Sequence, residues 1–267
     1  MISVSIVTYK TRVDEFKSCL DSLDSPLVTH IFVVDNYGDK DIKEICSNDK
    51  RIQYILSENV GYGTAHNKAI RKAMETDCSY HLVLNPDVTF NSDILSYITQ
   101  CMEQDREIGQ LQPKILYPDG ELQFTVRLLP SPADVFCRRF IKQSWNRKRD
   151  NIYAVKFWNH NSPLNIPFHQ GSFMFFRIDA LREIGLFDER FFMYTEDIDI
   201  TRRMHRRYKT LYWPDVHVTH AHRAESYKNK RLLRIHIINM IRYFNKWGWI
   251  FDKERKMLNA KVLSEIS

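Results

Sequence analysis

The chain has 267 residues, 43% hydrophobic and 27% charged, with a formal charge of +6 and a pI near 9.0. No run reaches the roughly 18 apolar residues of a membrane span. The opening MISVSIVTYK lacks a signal-peptide pattern, and five scattered cysteines, never paired as CxxC, argue against a disulfide framework or zinc knuckle. A globular protein of a reducing cytosol is therefore expected. Its basic excess clusters at 138–139, 142–149, 202–209 and 223–234. That excess suits a phosphate-bearing small molecule, nucleic acid or an anionic membrane surface.

From the N-terminus, strand and helix patterns alternate: strand 2–8, helix 13–23, strand 30–34, short helix 41–46, strand 51–56, helix 64–74, strand 80–84 and helix 93–104. Such alternation predicts an α/β protein with a parallel sheet covered on both faces. Ligands of such sheets bind beyond the carboxyl ends of the strands, where three polar exits fall: Thr8-Tyr9, Asp35-Asn36 and Asn85-Pro86-Asp87. After Gly109, PKILYPDGELQFTVR predicts a hairpin turning at Pro118-Asp119-Gly120. Residues 128–165 are proline-punctuated, basic and aromatic without a clean period, which predicts a mobile or partner-facing segment. Strand then helix return over IPFHQGSFMFFRIDALREIGLFDERFF, followed by an amphipathic helix over TEDIDITRRMHRRY and a strand pair around TLYWPDVHVTHAH. The remainder reads as helical, with Leu232, Leu233, Ile237, Met240, Ile241 and Phe244 on one face.

Four groups of residues carry candidate chemistry. Asn85-Pro86-Asp87 is either a simple turn or, at the exit of a central strand, a carboxylate set to hold Mg²⁺ or Mn²⁺ beside substrate phosphates. Glu196 and Asp197 either begin a helix capped by Thr195, where the macrodipole favours acids, or form the wall of a site behind Phe191-Phe192-Met193-Tyr194. Asp199 has Arg203 four residues on, an ordinary surface ion pair, whereas Glu196 and Asp197 have no basic partner at that spacing. A general base there needs its pKa raised by apolar surroundings. In SENVGYGTAHNKAI, Gly61 and Gly63 permit close backbone approach to an anion at a helix start, although neither the dinucleotide nor the Walker pattern is present. His220 and His222 are either structural or include a metal ligand.

Taken together, VSIVTYK, IFVVDNYGD, ENVGYGTAHNKAI, LVLNPDV, QPKILYPDG, QGSFMFFR, GLFDERFFMYTEDIDITRR and LYWPDVHVTH resemble the family 2 glycosyltransferases, most closely their rhamnosyltransferase-like branch of bacterial surface-polysaccharide synthesis. The resemblance implies a GT-A fold, with a Rossmann-like, mostly parallel central sheet flanked by helices, and an inverting transfer. It implies a transferase domain over 1–222, with a nucleotide-binding half 1–112 and an acceptor half 113–222, followed by a helical extension over 223–267. Thr8, Tyr9, Asp35, Asn36, Asn59, Gly61, Asn67, Asn85 and Asp87 would bind the donor nucleotide. Asp87 would reach a divalent cation, Mg²⁺ or Mn²⁺, with His220 a further candidate ligand. Asn85 stands where the family's motif has its first acid, which leaves that metal site one charge short. Gly171 and Ser172 would lie beneath the acceptor, and Asp197, with Glu196 second, would be the base.

The implied partners are a nucleoside-diphosphate sugar, dTDP-L-rhamnose being favoured over UDP-galactose or UDP-N-acetylglucosamine, and a glycan or lipid-diphosphate acceptor met at the inner membrane face. A nucleotide-sugar-binding protein without catalysis is the alternative. A nucleic-acid partner is not expected, for want of a recognition motif.

Overall fold

The computed structural model describes residues 1–141, 143–221 and 230–266. The alternation read from the sequence forms the first half: β1 (Ile2–Thr8), α1 (Val13–Asp21), β2 (Val28–Asp35), α2 (Lys40–Ser47), β3 (Ile52–Leu56), α3 (Tyr62–Ala73) and β4 (Tyr80–Leu84). Then follow β5 (Val88–Thr89), α4 (Ile94–Gln104), β6 (Ile108–Leu116), α5 (Pro132–Phe140), α6 (Gln143–Tyr153), β7 (Leu164–Asn165), β8 (Phe173–Arg177), α7 (Ile178–Ile184), α8 (Glu196–His205), β9 (Lys209–His220), α9 (Lys230–Trp247) and α10 (Lys253–Ile266). All strands join one sheet in the order β3-β2-β1-β4-β8-β6-β9-β5, with β7 on β9. It is parallel from β3 to β4 and mixed beyond.

The inner parallel strands β1, β2 and β4 are largely buried on both faces and read as mainly apolar runs, while β3 at the edge is partly exposed. Their polar residues pair inside. Ser3 Oγ meets His81 Nδ1 at 2.9 Å, His81 Nε2 meets Ser5 Oγ at 2.8 Å, and Ser5 Oγ meets His66 Nδ1 at 2.7 Å. Burial pushes both imidazoles down, His81 to about 3, so this chain of hydrogen bonds is uncharged.

Of four expectations for the second half, three are corrected. The hairpin turns where expected but is very short: Tyr117 N donates to Glu121 O, Gln123 N donates to Ile115 O, and a single bridge joins Leu116 and Leu122. The expected strand pair is one strand, β9, whose register slips between Pro113 and Lys114 so that residues 214–216 bulge. Prolines at 113 and 214 lack the ladder donor, and the bulge absorbs them. Residues 128–165 hold two helices. Ser131 opens α5 with a reciprocal capping box to Asp134 and Pro132 behind it, while Leu128, Leu129, Tyr153 and Val155 are buried. On α9 the buried side is Asn239, Met240, Tyr243 and Phe244, and Ile237 and Ile241 face outward. That helix is apolar on several sides, so periodicity alone did not choose the face.

Helices α9 and α10 share a core with residues 126–168, Ile198 and Tyr212. They are fastened to α8 by charge: buried Arg202 donates to both oxygens of Asp252, at 2.8 and 2.7 Å, and to Glu254. The guanidinium groups of Arg202 and Arg206 both stack on the Trp247 ring, at 4.2 and 4.4 Å. Asp252→Ala leaves Arg202 buried with one carboxylate fewer and is expected to cost about 3–5 kcal/mol in urea unfolding. A loss below about 1 kcal/mol would show that Glu254 alone suffices.

Candidate functional site

Thr8 and Asp35 end adjacent parallel strands in register. Asp35 is buried and fully engaged: Oδ1 accepts from Tyr37 N at 2.9 Å, and Oδ2 from Asp39 N at 2.8 Å and Tyr54 Oη at 2.7 Å. Burial pushes its pKa up, but these bonds outweigh it and hold the carboxylate ionised, below its usual range. Asp35 thereby shapes the loop above β2, where exposed Tyr9 and Tyr37 meet edge to face at 5.9 Å beneath Lys10. Thr8 Oγ1 and Asn36 Oδ1 are buried at this edge without a partner, and Asn59 is exposed beside it, accepting from Gly61 N.

The glycines permit close approach, but to the chain itself. A Cβ on Gly61, whose φ is +94°, would lie 2.4 Å from Phe192 O, and one on Gly63 would lie 2.9 Å from the Phe187 side chain. Tyr62 N donates to Phe192 O, so residues 187–196 cover this end of α3. Asn67 is likewise committed inside the protein: its amide donates to Phe187 O at 2.8 Å and accepts from Phe187 N at 3.0 Å. It does not reach the open edge with Thr8 and Tyr9.

Tyr62 joins the two halves of the site. Its hydroxyl bonds Asn85 Oδ1 at 3.0 Å and Gly171 O at 2.5 Å, while Asn85 N donates to Ser172 O. Past Pro86, Asp87 Oδ1 lies 3.4 Å from His220 Nε2, on the wall of a cavity of about 230 Å³ with Asp14, Glu15, Ser18 and Thr219. Gln123 determines the imidazole tautomer. Its amide nitrogen donates to His220 O and Leu116 O, so its oxygen accepts from His220 Nδ1 at 3.0 Å. In the neutral ring, the Nε2 lone pair is then turned toward the Asp87 carboxylate. Two acceptors this close suit a shared cation, since neighbouring ligands of an octahedral ion at about 2.1 Å sit about 3 Å apart. Among the described residues no group of three or more His, Cys, Asp or Glu is arranged for a metal, and His222 lies outside them.

Glu196 and Asp197 begin α8 and are both buried. Tyr194, before them, has φ +85°, a strained left-handed conformation for a non-glycine residue. The expected Thr195 cap is absent: its Oγ1 is buried without a partner, and its N–H is held by Glu196 Oε2 at 2.9 Å. Asp197 Oδ1 accepts from Ile198 N at 2.8 Å, and Oδ2 from Gly171 N at 3.1 Å. Burial is the largest influence on both acids and pushes them up. Repulsion from Asp197 adds to it for Glu196, which reaches about 8. The Ile198 and Gly171 amides and the charge of Arg127 limit Asp197 to about 6. Burial and mutual repulsion thus hold a proton on the pair into the neutral range, with Glu196 raised further than Asp197. Asp199 does pair with Arg203, but buried rather than on the surface, and it also takes Lys246 and Trp247 Nε1.

The Glycosyl transferase family 2 model matches residues 3–185, more than half of the chain. The chain belongs to that family. Rhamnosyltransferases are among its relatives. An N-acetylglucosaminyl-diphospho-decaprenol L-rhamnosyltransferase of Mycobacterium tuberculosis is 29% identical over 63% of this chain and 57% of its own length. The rhamnosyltransferase WbbL of Escherichia coli is 26% identical over 91% and 92%. The low-salt glycan biosynthesis hexosyltransferase Agl10 of Haloferax volcanii is 30% identical over 77% of this chain and 62% of its own length. The chain thus spans less than two thirds of the mycobacterial and archaeal relatives. Solved structures agree on the GT-A fold: GalNAc-T7 with UDP, GalNAc and Mn²⁺ aligns at TM-score 0.65 and 16% identity, over 94% of this chain and 48% of that one. The Pyrobaculum calidifontis mannosyltransferase with GDP-Man and Mn²⁺ aligns at 0.57 and 15%, over 99% and 74%.

Within this family 2 chain, four positions escaped sequence reasoning. Tyr62 and Tyr37 stood in segments already singled out, but their partners at Gly171 and Tyr9 are distant in sequence. Gln123 and Asn239, which hold His220 and Met193 O, left no local signal.

The acid pair also predicts a pH signature. Folding raises both pKa values, so the folded chain keeps protons that the unfolded chain releases above about pH 4, and stability falls from there through about pH 8. Glu196→Gln should match the parent's urea stability near pH 4 and exceed it increasingly toward pH 8. A difference independent of pH would show that Glu196 is not held protonated.

Proposed function

We propose that this chain is an inverting glycosyltransferase that moves a sugar from a nucleoside diphosphate to a hydroxyl of a glycan or lipid-diphosphate acceptor, with Asp197 as the base. The observation that carries this reading is the buried pair Glu196 and Asp197, raised into the working range and joined through Gly171 and Tyr62 to Asn85 of the Asn85-Pro86-Asp87 exit. Asp197 accepts the proton of the acceptor hydroxyl. The oxygen attacks the anomeric carbon opposite the leaving group, the bond to the diphosphate breaks, and its electron pair leaves with the nucleotide. Glu196, protonated, keeps a second negative charge out of the pocket. The loop of Tyr9, Tyr37 and Lys10 offers aromatic faces and a cation to the nucleotide.

Asp87 and His220 would hold a divalent cation, Mg²⁺ or Mn²⁺, which when bound would neutralise charge developing on the diphosphate. The mutual spacing of their donor atoms and the His220 tautomer fit it, as do the Mn²⁺ complexes of GalNAc-T7 and the archaeal mannosyltransferase. The rhamnosyltransferase relatives support dTDP-L-rhamnose as donor, while the UDP complex of GalNAc-T7 keeps UDP-sugars in view. The mycobacterial relative's name supports a diphospho-polyprenol acceptor, met at a membrane. Residues 1–222 would form the transferase unit, braced by the helices of 223–267.

Asp197→Asn should lower transfer at least about 100-fold while dTDP with Mn²⁺ still raises the melting temperature. Retention of most activity would place the base elsewhere. In the parent, kcat/KM should rise with pH through a limb near pH 6, above the ordinary carboxylate range. Asp87→Asn and His220→Ala should each abolish the Mn²⁺-dependent part of the nucleotide shift. A nucleotide shift in the parent with no turnover on any donor would instead favour a binding protein.

A further inference from the structure

Helix α9 has two faces of opposite character. Its inner face grips the segment before the acid pair: Asn239 Nδ2 donates to Met193 O at 2.9 Å, Arg242 Nη1 donates to Arg190 O, and His236 packs on Tyr194 at 5.3 Å. Its outer face carries Ile237, Ile238 and Ile241, each about two fifths exposed. At i, i+1 and i+4 they form one stripe, with Arg234 at its head. The stripe continues a turn at a time through Asn245 to Trp249, whose Nε1 donates to Asn245 Oδ1 at 2.8 Å. There the chain turns at Gly248, φ +103°, and presents Ile250 and Phe251, 68% and 90% exposed. These are the most exposed apolar groups of the turn, and neither belongs to a core cluster.

The charges around the tip have one sign. Between residues 230 and 266 every exposed charged side chain is Lys or Arg except Glu265. Asp252 and Glu254, the other acids there, are taken by Arg202 and Arg206. Lys253 and Lys256 directly follow Phe251. A second copy of the chain would bring the same cations against these across a symmetric contact. A nucleic acid would answer the cations but leave Ile250 and Phe251 in water. An anionic bilayer answers both, accepting the apolar tip among its acyl chains while its headgroups meet the lysines.

We propose that the outer face of α9 and the Trp249-Ile250-Phe251 turn form a docking surface for an anionic lipid bilayer. Docked so, α9 lies along the membrane with its inner face still holding residues 190–194, which brings the flank of the acid pair to the bilayer. This last point rests on the proposed transfer to a lipid-diphosphate acceptor; the docking itself does not.

The test is co-sedimentation of the full chain with sucrose-loaded vesicles of phosphatidylcholine, alone or with phosphatidylglycerol. Binding should be at least about 10-fold tighter to the anionic vesicles and weaken with salt. The double substitution Ile250→Ser with Phe251→Ser should reduce it at least about 10-fold, with the melting temperature unchanged because both side chains are exposed. Lys253→Glu with Lys256→Glu should reduce it comparably. Equal binding to both vesicle types, or binding that ignores the Ile250 and Phe251 substitutions, would overturn the proposal. So would no binding at all, including a case where the chain instead dimerises through this tip. Vesicle binding without transfer on any donor would sustain the docking surface and sink the enzymatic reading. Transfer to a soluble acceptor without vesicle binding would do the reverse.

Discussion

Everything at the centre of this protein depends on burying a charged helix. α8 runs from Glu196 and Asp197 to Arg202, Arg203 and His205, and nearly all of it is inaccessible to water. A helix that polar is stable inside only if its charges are paired or neutral. The arginines are answered away from the acid end: Arg202 by Asp252 and Glu254, Arg206 by Glu254, and Arg203 by Asp199 and the carbonyls of residues 184–186. None of these arginines pairs with Glu196 or Asp197, and Arg127 acts on Asp197 only as a charge that offsets part of its burial. Burial therefore raises both pKa values, where an adjacent arginine would have lowered them.

The same burial ties the two halves of the molecule together. Residues 187–196 must lie over the start of α3 for the acids to be covered, and Gly61 just before the helix and Gly63 within it make room. Gly61 meets Phe192 O, and Gly63 meets Phe187 and the Glu196 side chain. Tyr62, between them, spans from Asn85 at the end of the parallel strands to Gly171 beside Asp197. The strand exit and the helix start are thus parts of one rigid polar arrangement.

The C-terminal helices complete the enclosure. α10 and the turn before it supply Asp252 and Glu254, and α9 supplies Lys246 and Trp247 to Asp199 and Asn239 to Met193 O. The left-handed Tyr194 is held from that side. Having given Asn239, Met240, Tyr243 and Phe244 to the interior, α9 keeps a row of isoleucines outside.

The sequence by itself determined the local elements and the edge where chemistry sits. The parallel half was legible because its inner strands β1, β2 and β4 are largely buried on both faces and read as apolar runs, and because Thr8, Asp35 and Asn85 punctuate their carboxyl ends. The acid pair was legible because Glu196 and Asp197 lack the i+4 cation that Asp199 has. What only the tertiary structure decided were partners distant along the chain. The glycines of α3 advertised close approach without saying to what, and Asn67 advertised polarity without revealing that Phe187 consumes it. Residues 128–165 showed no clean period because α5 and α6 are short and bury few apolar residues, although Ser131-Pro132 and Asp134 carried a capping signal. A helix apolar on several sides, such as α9, does not reveal its buried face, because periodicity reports amphipathicity and the choice between two apolar faces is made by what packs against them.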